Sequence, residues 1–429
     1  MNSKTSLFHK VFNTEIPDIS SRWGRLERIL LISFIVVFTI TFVRVYPGIF
    51  LGFGFGDEFQ WGFISGFFEQ LKQQNTILFY GAGGLLIFNV LFRMRVFLLG
   101  QLAYKSNHPD LPIKTILLFV SANSLNVVFV SITTIGLGLG AYLLGNDFIT
   151  GFNAEQNLLS YALELANKVP TIVELPLIIA FVLTYMVQGF FHYWIHRFCH
   201  LNRFLWLTLH RFHHVPPILT VATTTVVITS IPFFIGVVFA KSLLFAALSK
   251  LFFERQLFME IFFYHLVMWI PEAYSHQTAM FKEGIKSRWI RILSLIAGTG
   301  VYHYLHHSRD AEIVSSNTTN QVNIGGGMGF IWDMVFGTFK SLPNEQLATP
   351  NVGLWGNPSL HHNPLRLLLS GLMQIIYEVT HNKGILNKLK CIFGSVNYVP
   401  QVTRKYHISE GTEAQSQPSH EMLKEAKTS

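Results

Sequence analysis

The sequence predicts an all-α protein built as a multi-pass bundle of transmembrane helices. Half of the 429 residues are apolar and only 13% are charged, and the mean hydropathy is +0.38. A water-soluble chain carries about 25% charged residues. The apolar residues also form long runs, since no charged residue interrupts Thr115–Asn146, Leu175–Ile195 or Phe212–Ala240. Each run exceeds the roughly 20 residues that cross a hydrocarbon core.

Six segments are candidate spans. They are continuously apolar rather than alternating, which favours helices over the strands of a membrane barrel. The stretch 115–146 fits either one tilted helix or a tight hairpin, and the last two segments fit paired or kinked helices. In chain order the candidates lie near 30–55, 76–99, 115–146, 173–195, 216–248 and 256–271.

The net charge of +8 follows the predicted topology. Basic residues concentrate in 1–28 and 93–114, whereas the loops 56–75 and 147–169 carry mostly Asp and Glu. Because cytoplasmic loops carry the excess of Lys and Arg, 1–28 and 93–114 are predicted to be cytosolic. The positive charge therefore flanks membrane spans and does not indicate a nucleic-acid partner.

Histidines form three compact boxes. His196–His200 is an HxxxH, and His210–His214 and His303–His307 are both HxxHH. Residues four apart lie on one face of a helix, so the outer pair of each box can point to a common centre. The last two histidines of an HxxHH can serve neighbouring metals.

The number of histidines in the boxes predicts two metal ions. Neutral imidazole suits Fe, Zn, Cu and Ni, and eight or more imidazoles exceed the four ligands of an ordinary zinc site. Following the spans along the chain places all three boxes at the cytosolic membrane face. A membrane metal transporter or metal-binding protein is the alternative interpretation. Transport sites usually lie at mid-bilayer between internal repeats, and no repeat is visible here.

The residues around the boxes resemble a known family. Tyr193–Arg197 looks like the YWxHR of the sterol desaturase and fatty acid hydroxylase superfamily. Asn323–Gly326, followed by Trp332–Asp333 and Phe336–Phe339, is similar to its NYGG…WDxxFGTF element. The resemblance covers roughly 170–400 and is nearest in character to bacterial and alkylglycerol-monooxygenase-like members.

The resemblance implies a membrane-bound non-haem di-iron enzyme, an O2-dependent oxidoreductase that hydroxylates or desaturates a lipid C–H bond. Fatty acyl, sterol and ether-lipid substrates remain open, as do hydroxylase, desaturase and monooxygenase reactions. The family pattern adds a lone histidine ligand, for which His276 is a better candidate than His265; His192 remains open as an added ligand. The predicted metal ligands are His196, His200, His210, His213, His214, His276, His303, His306 and His307.

The resemblance also sets expectations for cofactors, partners and domains. Two Fe²⁺ ions are expected, with zinc as a possible substitute, and the electrons come from a separate ferredoxin or cytochrome b5 or from a tetrahydropterin. The C-terminus lacks a dilysine pattern, which favours a bacterial plasma membrane over the endoplasmic reticulum. The predicted regions are 1–169 with a cytosolic segment and membrane helices, 170–345 as the catalytic region, 346–402 as a peripheral region and 403–429 as a disordered tail.

Overall fold

The computed structural model describes residues 72–107, 158–219, 242–308, 321–326, 328–342, 349–353 and 364–396, together with positions 69, 121, 122, 310, 398 and 400. These residues are mostly helical and contain no β-strand, so the all-α part of the prediction is confirmed. The predicted span 30–55, nearly all of 115–146, positions 220–241 of the predicted span 216–248 and the tail 403–429 lie outside the described residues.

The helices alternate between long apolar segments and short segments near the histidine boxes. Residues 242–249 are also helical. A π-helical turn, Trp206–His210, separates α4 from α5. In chain order the helices are α1 Thr76–Asn107, α2 Leu158–Lys168, α3 Leu177–Leu201, α4 Arg203–Leu205, α5 Arg211–His214, α6 Phe258–Glu272, α7 Thr278–Lys286, α8 Arg288–Ala297, α9 Gly300–His306, α10 Ile331–Val335, α11 Pro364–His381 and α12 Ile385–Phe393.

Two helices among the described residues, α1 and α3, are long and apolar enough to cross a membrane. The 25 residues of α3 extend about 38 Å at 1.5 Å per residue, and a hydrocarbon core is about 30 Å thick. Helix α6 overlaps the predicted span 256–271 but has 15 residues, or about 22 Å. These helices favour membrane association, and the multi-pass bundle stays a prediction.

Helix α3 differs from the predicted span 173–195 at both ends. It begins after Pro176, since proline has no N–H to donate and is tolerated only in the first turn of a helix. It continues to Leu201, so the first histidine box forms its last turns. Extended Asn202 then ends α3, and its side chain accepts a hydrogen bond from Leu205 N (3.1 Å), capping α4. This turn brings the second box back beside the first.

Helices α1 and α6 pack against each other through apolar side chains and one polar bridge. Asn89 donates to the Leu266 carbonyl at 2.9 Å. One turn further along α1, Arg93 forms an ion pair with Glu272 at 2.9 Å, and both side chains are largely buried. Since buried charges and polar groups cost free energy unless they are paired, these contacts determine how α6 lies along α1.

Helix α3 packs directly on the chain that follows the third box. A Cβ at Gly189 would lie 2.8 Å from Gly326 O and 3.0 Å from Met328 N, so no larger side chain fits there. The Trp332 indole donates to the Met186 carbonyl at 3.0 Å and fixes the same contact.

Helix α11, from the region predicted as 346–402, lies against the second histidine box. Trp206 and Leu207 of the π turn pack on Ile375, and a Cβ at Gly371 would lie 1.7 Å from the Leu207 carbonyl oxygen. Beside this contact, Arg203 and Glu378 form a fully buried ion pair at 2.6 Å. The C-terminal helices therefore support the backbone that carries the second box.

Candidate metal centre

Five histidines form the first of two clusters, which we call cluster A. One ring nitrogen from each of the five lies within 4.8 Å of the corresponding nitrogens of the others. The last turns of α3 supply two, the π turn and α5 supply one each, and the end of α9 supplies the fifth. The members of cluster A are His196, His200, His210, His214 and His306.

Four more histidines form the adjoining cluster B. One ring nitrogen from each of the four lies within 4.8 Å of the corresponding nitrogens of the others, and all four side chains are buried. The closest rings of the two clusters, those of His214 and His307, have centroids 4.4 Å apart. The members of cluster B are His213, His276, His303 and His307. The two clusters together contain all nine histidines predicted as ligands.

The HxxHH spacing explains how each box is divided between the clusters. The outer pair of the second box lies in cluster A, and the outer pair of the third box lies in cluster B. Adjacent residues on a helix point about 100° apart, so the last two histidines of a box cannot face the same centre. His213 and His306 accordingly join the other cluster.

The second box does not lie on a regular α-helix. Trp206–His210 forms a π turn, in which Arg211 N donates to Trp206 O. Such turns occur mostly as single inserted turns and often at functional sites. The wider turn changes the direction of His210 relative to the residues before it, and the α-helical spacing resumes at Arg211. The sequence carries no clear signal for this turn.

Two hydrogen bonds fix proton positions in cluster A. His306 Nδ1 lies 3.0 Å from the Val322 carbonyl oxygen, and His196 Nδ1 lies 2.9 Å from the Ile324 carbonyl oxygen. Because a carbonyl oxygen only accepts, both Nδ1 atoms carry the proton and both Nε2 atoms carry a lone pair.

These lone pairs face other imidazole nitrogens. His306 Nε2 lies 3.1 Å from His200 Nε2, and His196 Nε2 lies 3.0 Å from His210 Nε2. His210 Nε2 is also 3.0 Å from His214 Nε2, yet it can donate at most one proton to these two neighbours. A metal ion accepts several nitrogen lone pairs at once, so the donor set of cluster A fits a metal bound through Nε2.

Burial keeps the cluster histidines neutral. For the seven members outside α3, burial lowers the pKa well below the ordinary 6.5, and neighbouring imidazoles lower it further. Neutral imidazole is the form that binds metal, so these side chains are available as ligands at neutral pH without deprotonation. The seven are His210, His213, His214, His276, His303, His306 and His307.

Two further histidines near the site lie outside both clusters. His265 is buried and bonds through its two ring nitrogens to Gln188 (3.2 Å) and Ser242 (3.1 Å), so its contacts are those of a structural residue. His192 is exposed, and its ring centroid lies 6.0 Å from that of His196. Neither belongs to a group that could hold a metal among the described residues.

The groups that orient the histidines were missed in the sequence. Asp310, a carboxylate three residues after the third box, accepts hydrogen bonds from Asn351 N and Nδ2 (3.0 and 2.9 Å). The orienting groups are two backbone carbonyls and the hydroxyl of Ser275, which is 2.8 Å from His276 Nδ1. A serine beside a candidate ligand indicates an orienting role only weakly, and a backbone carbonyl cannot be recognised from the sequence at all.

The helical architecture and the two adjoining all-histidine clusters at the end of an apolar helix fit a class of membrane-associated proteins in which two adjoining groups of histidines could each hold a metal ion. Residues 181–338 match the family model for fatty acid hydroxylase. This part of the chain is a fatty acid hydroxylase domain of the sterol desaturase and fatty acid hydroxylase superfamily, which confirms the resemblance. No curated protein matches the chain, and neither does any solved structure.

The matched region contains both clusters completely. It begins within α3, upstream of the first box, and ends at Thr338, after the Trp332–Asp333 element. The part of the resemblance that extended to about residue 400 lies beyond the match. The family indicates oxidoreductase activity, and the clusters could hold metal.

Proposed function

We propose that the protein is a membrane-bound non-haem di-iron oxygenase that uses O2 to hydroxylate or desaturate a C–H bond of a lipid. The observation that supports this most strongly is the pair of histidine clusters within a fatty acid hydroxylase domain. Each cluster provides enough nitrogen donors for one ion. Two iron ions bound there would supply the redox chemistry, with O2 as oxidant, for oxidising an unactivated carbon.

The protein's own residues prepare the site for that chemistry. The imidazoles of cluster A present Nε2 inward, and the Val322 and Ile324 carbonyls hold the protons on the opposite nitrogens of His306 and His196. Burial excludes bulk water, which would otherwise compete for the metal and quench reactive species. Because every cluster member is a neutral ligand, the site also retains the full positive charge of the ions it holds.

The substrate class is supported by the surface next to cluster A. On α3, Phe191, Ile195 and Phe198 are 53%, 64% and 49% exposed, and they lie on the helix that carries the first box. An exposed apolar strip on a candidate membrane helix suits contact with acyl or sterol chains. A lipid lying along this strip would have its chain beside the helix that carries His196 and His200.

The proposal also covers the electron donor and the membrane in which the protein lies. The donor is external: a ferredoxin, a cytochrome b5 or a tetrahydropterin. The clusters lie at the end of α3, and the distribution of Lys and Arg in the sequence favours the cytosolic face for that end, where such donors are present. A bacterial plasma membrane is favoured over the endoplasmic reticulum.

The metal content of the detergent-purified protein tests the proposal directly. Wild type should contain about two irons per chain after anaerobic loading with Fe(II). His213→Ala combined with His214→Ala removes one ligand from each cluster and should abolish stable binding. His381→Ala is the matched control, because His381 is exposed on α11 and bonds only within its own helix among the described residues. A wild-type chain that binds no metal would exclude the proposal.

Turnover then separates an oxygenase from the alternative. Loaded wild type in lipid vesicles, supplied with a reductant and ¹⁸O2, should yield an ¹⁸O-labelled or desaturated lipid, measured by mass spectrometry. The double variant should yield none. Metal flux into the vesicles without lipid oxidation would instead support a transporter.

A further inference from the structure

The short segment 322–325 contacts cluster A through two carbonyls. Val322 O accepts from His306 Nδ1 at 3.0 Å, and Ile324 O accepts from His196 Nδ1 at 2.9 Å. One histidine comes from the third box and the other from the first. The segment therefore sets the ring orientation of two members of cluster A that lie on different helices.

Asn323 holds the segment in an unusual conformation. Its φ of 51° lies in the left-handed region, where asparagine is among the few non-glycine residues tolerated. Its buried side chain donates to the carbonyls of Tyr302 (3.1 Å) and Lys340 (2.9 Å) and accepts from Lys340 N (2.7 Å). This reversal at Asn323 allows the carbonyls on its two sides to reach separate histidines.

Asp333 fixes the other end of the segment. Its fully buried carboxylate accepts three hydrogen bonds of 2.8 Å, from Ile324 N, Gly325 N and Thr338 Oγ1. Burial raises the pKa of Asp333 to about 6, so the carboxylate is ionised at neutral pH and can accept all three. Hydrogen bonds to a charged acceptor are about twice as strong as neutral ones, and the Ile324 peptide that bonds to His196 is thereby held at both ends.

Cluster B is oriented in a different way. Ser275 Oγ donates to the Glu272 carbonyl at 2.6 Å and lies 2.8 Å from His276 Nδ1. Since its hydrogen is already used, Ser275 Oγ accepts from His276 Nδ1–H, and His276 Nε2 faces His307 Nε2 at 3.2 Å. The buried His307 Nδ1 has no hydrogen-bond partner among the described residues.

We propose that Asp333 is a positioning residue that sets the metal affinity of cluster A through the Ile324 and Val322 carbonyls. Ser275 sets the metal affinity of cluster B through its hydrogen bond with His276. The two sites are then inequivalent, and cluster A binds the first metal ion more tightly. A hydrogen bond from the non-ligating nitrogen fixes the ring and increases the basicity of the ligating nitrogen, and losing such a partner typically weakens metal binding about 10–100-fold. The inference rests on the proposed metal binding by both clusters.

Asp333→Asn is the sharpest substitution available. It keeps the size of the side chain but places an amide N–H against a backbone N–H of the 324–325 turn, where a carboxylate oxygen now accepts. Asp310→Asn is the matched control, because that exposed carboxylate bonds to Asn351. Ser275→Ala removes the hydroxyl that orients His276. His306→Ala and His276→Ala identify which binding class belongs to cluster A and which to cluster B.

The measurement is anaerobic equilibrium dialysis of the purified full chain with Fe(II). Wild type should show two classes of site, the tighter of which is lost in His306→Ala. Asp333→Asn should weaken that class about 10–100-fold and leave the other within about twofold. Ser275→Ala should weaken the cluster B class and leave the cluster A class within about twofold. Asp310→Asn should bind both ions with the affinities of wild type.

Each outcome bears on one proposal. If wild type binds no iron, the proposed function fails. If wild type binds two ions but Asp333→Asn weakens both classes equally or neither, the positioning role of Asp333 is wrong. Should Asp333→Asn not fold, Thr338→Val removes one of the three donors to the same carboxylate and should weaken the cluster A class alone, by a smaller factor. An unchanged cluster A affinity in that variant would also overturn the inference.

Discussion

His213 and His214 are neighbours in the chain, yet their imidazoles belong to different clusters, with ring centroids 5.4 Å apart and planes inclined at 84°. His214 lies in cluster A and His213 in cluster B. Since both residues are on the short helix α5, a shift of this helix moves one donor of each cluster at once. The second box therefore couples the two candidate sites, as the third box does through His306 and His307.

Single substitutions in this pair should separate the two sites. We expect His213→Ala and His214→Ala each to lower the bound metal from about two ions per chain to about one, because each removes one donor from one cluster. Elemental analysis after gel filtration measures this. His265→Ala, which removes a buried histidine outside both clusters, should retain both ions. Loss of both ions in each single variant would mean that the clusters do not bind independently.

Acidification should destabilise the metal-free protein. Burial lowers the pKa of the seven cluster histidines outside α3 well below 6.5 in the folded chain. As pH falls through about 6.5, the unfolded chain binds protons and the folded chain does not, so the free energy of unfolding decreases. Thermal melting in detergent between pH 8 and pH 5 should show a falling Tm below about pH 6.5. A Tm independent of pH in that range would contradict the buried, neutral state of the clusters.

Gly371→Ala should disturb the second box from outside the site. Its new Cβ would overlap the Leu207 carbonyl oxygen of the π turn, and overpacking of this kind typically costs about 1–3 kcal/mol. We expect a lower Tm and weaker metal binding. Gly84→Ala is the control, since nothing lies within 4 Å of a Cβ there and alanine favours a helix. Equal behaviour of the two variants would show that α11 does not support the box.

The buried ion pair between Arg203 and Glu378 should matter far more than an exposed one. Glu378→Ala leaves a buried guanidinium without its carboxylate, which typically costs about 3–5 kcal/mol. Glu260→Ala, which breaks the pair with the 42% exposed Arg255, should cost less than about 1 kcal/mol. Chemical denaturation of both variants compares the two effects. Similar losses would indicate that α11 is held mainly by apolar contacts.

Much of this arrangement could be predicted because it depends on local spacing. Helix α1 begins at Thr76, where the apolar run 76–99 predicted it, and the box spacings single out eight of the nine histidines that the structure brings together. The ninth, His276, was expected from the family resemblance. That these nine bind metal stays a prediction. The division into two clusters depends on the relative placement of α3, α5 and α9. The role of the Val322 and Ile324 carbonyls could not be predicted, because every residue has a backbone carbonyl. Asn323 and Asp333, which hold these carbonyls in place, do belong to a motif that can be recognised in the sequence.

The separation of the histidines along the chain has a consequence for folding. His200 and His306 face each other although they are 106 positions apart in the sequence. An ion bound by both would act as a removable cross-link that closes a long loop. Such a cross-link restricts the unfolded chain and so stabilises the folded one, by an amount that rises slowly with the length of the loop. The metal should therefore be acquired after α3 and α9 have met, and its removal should release the loop between them.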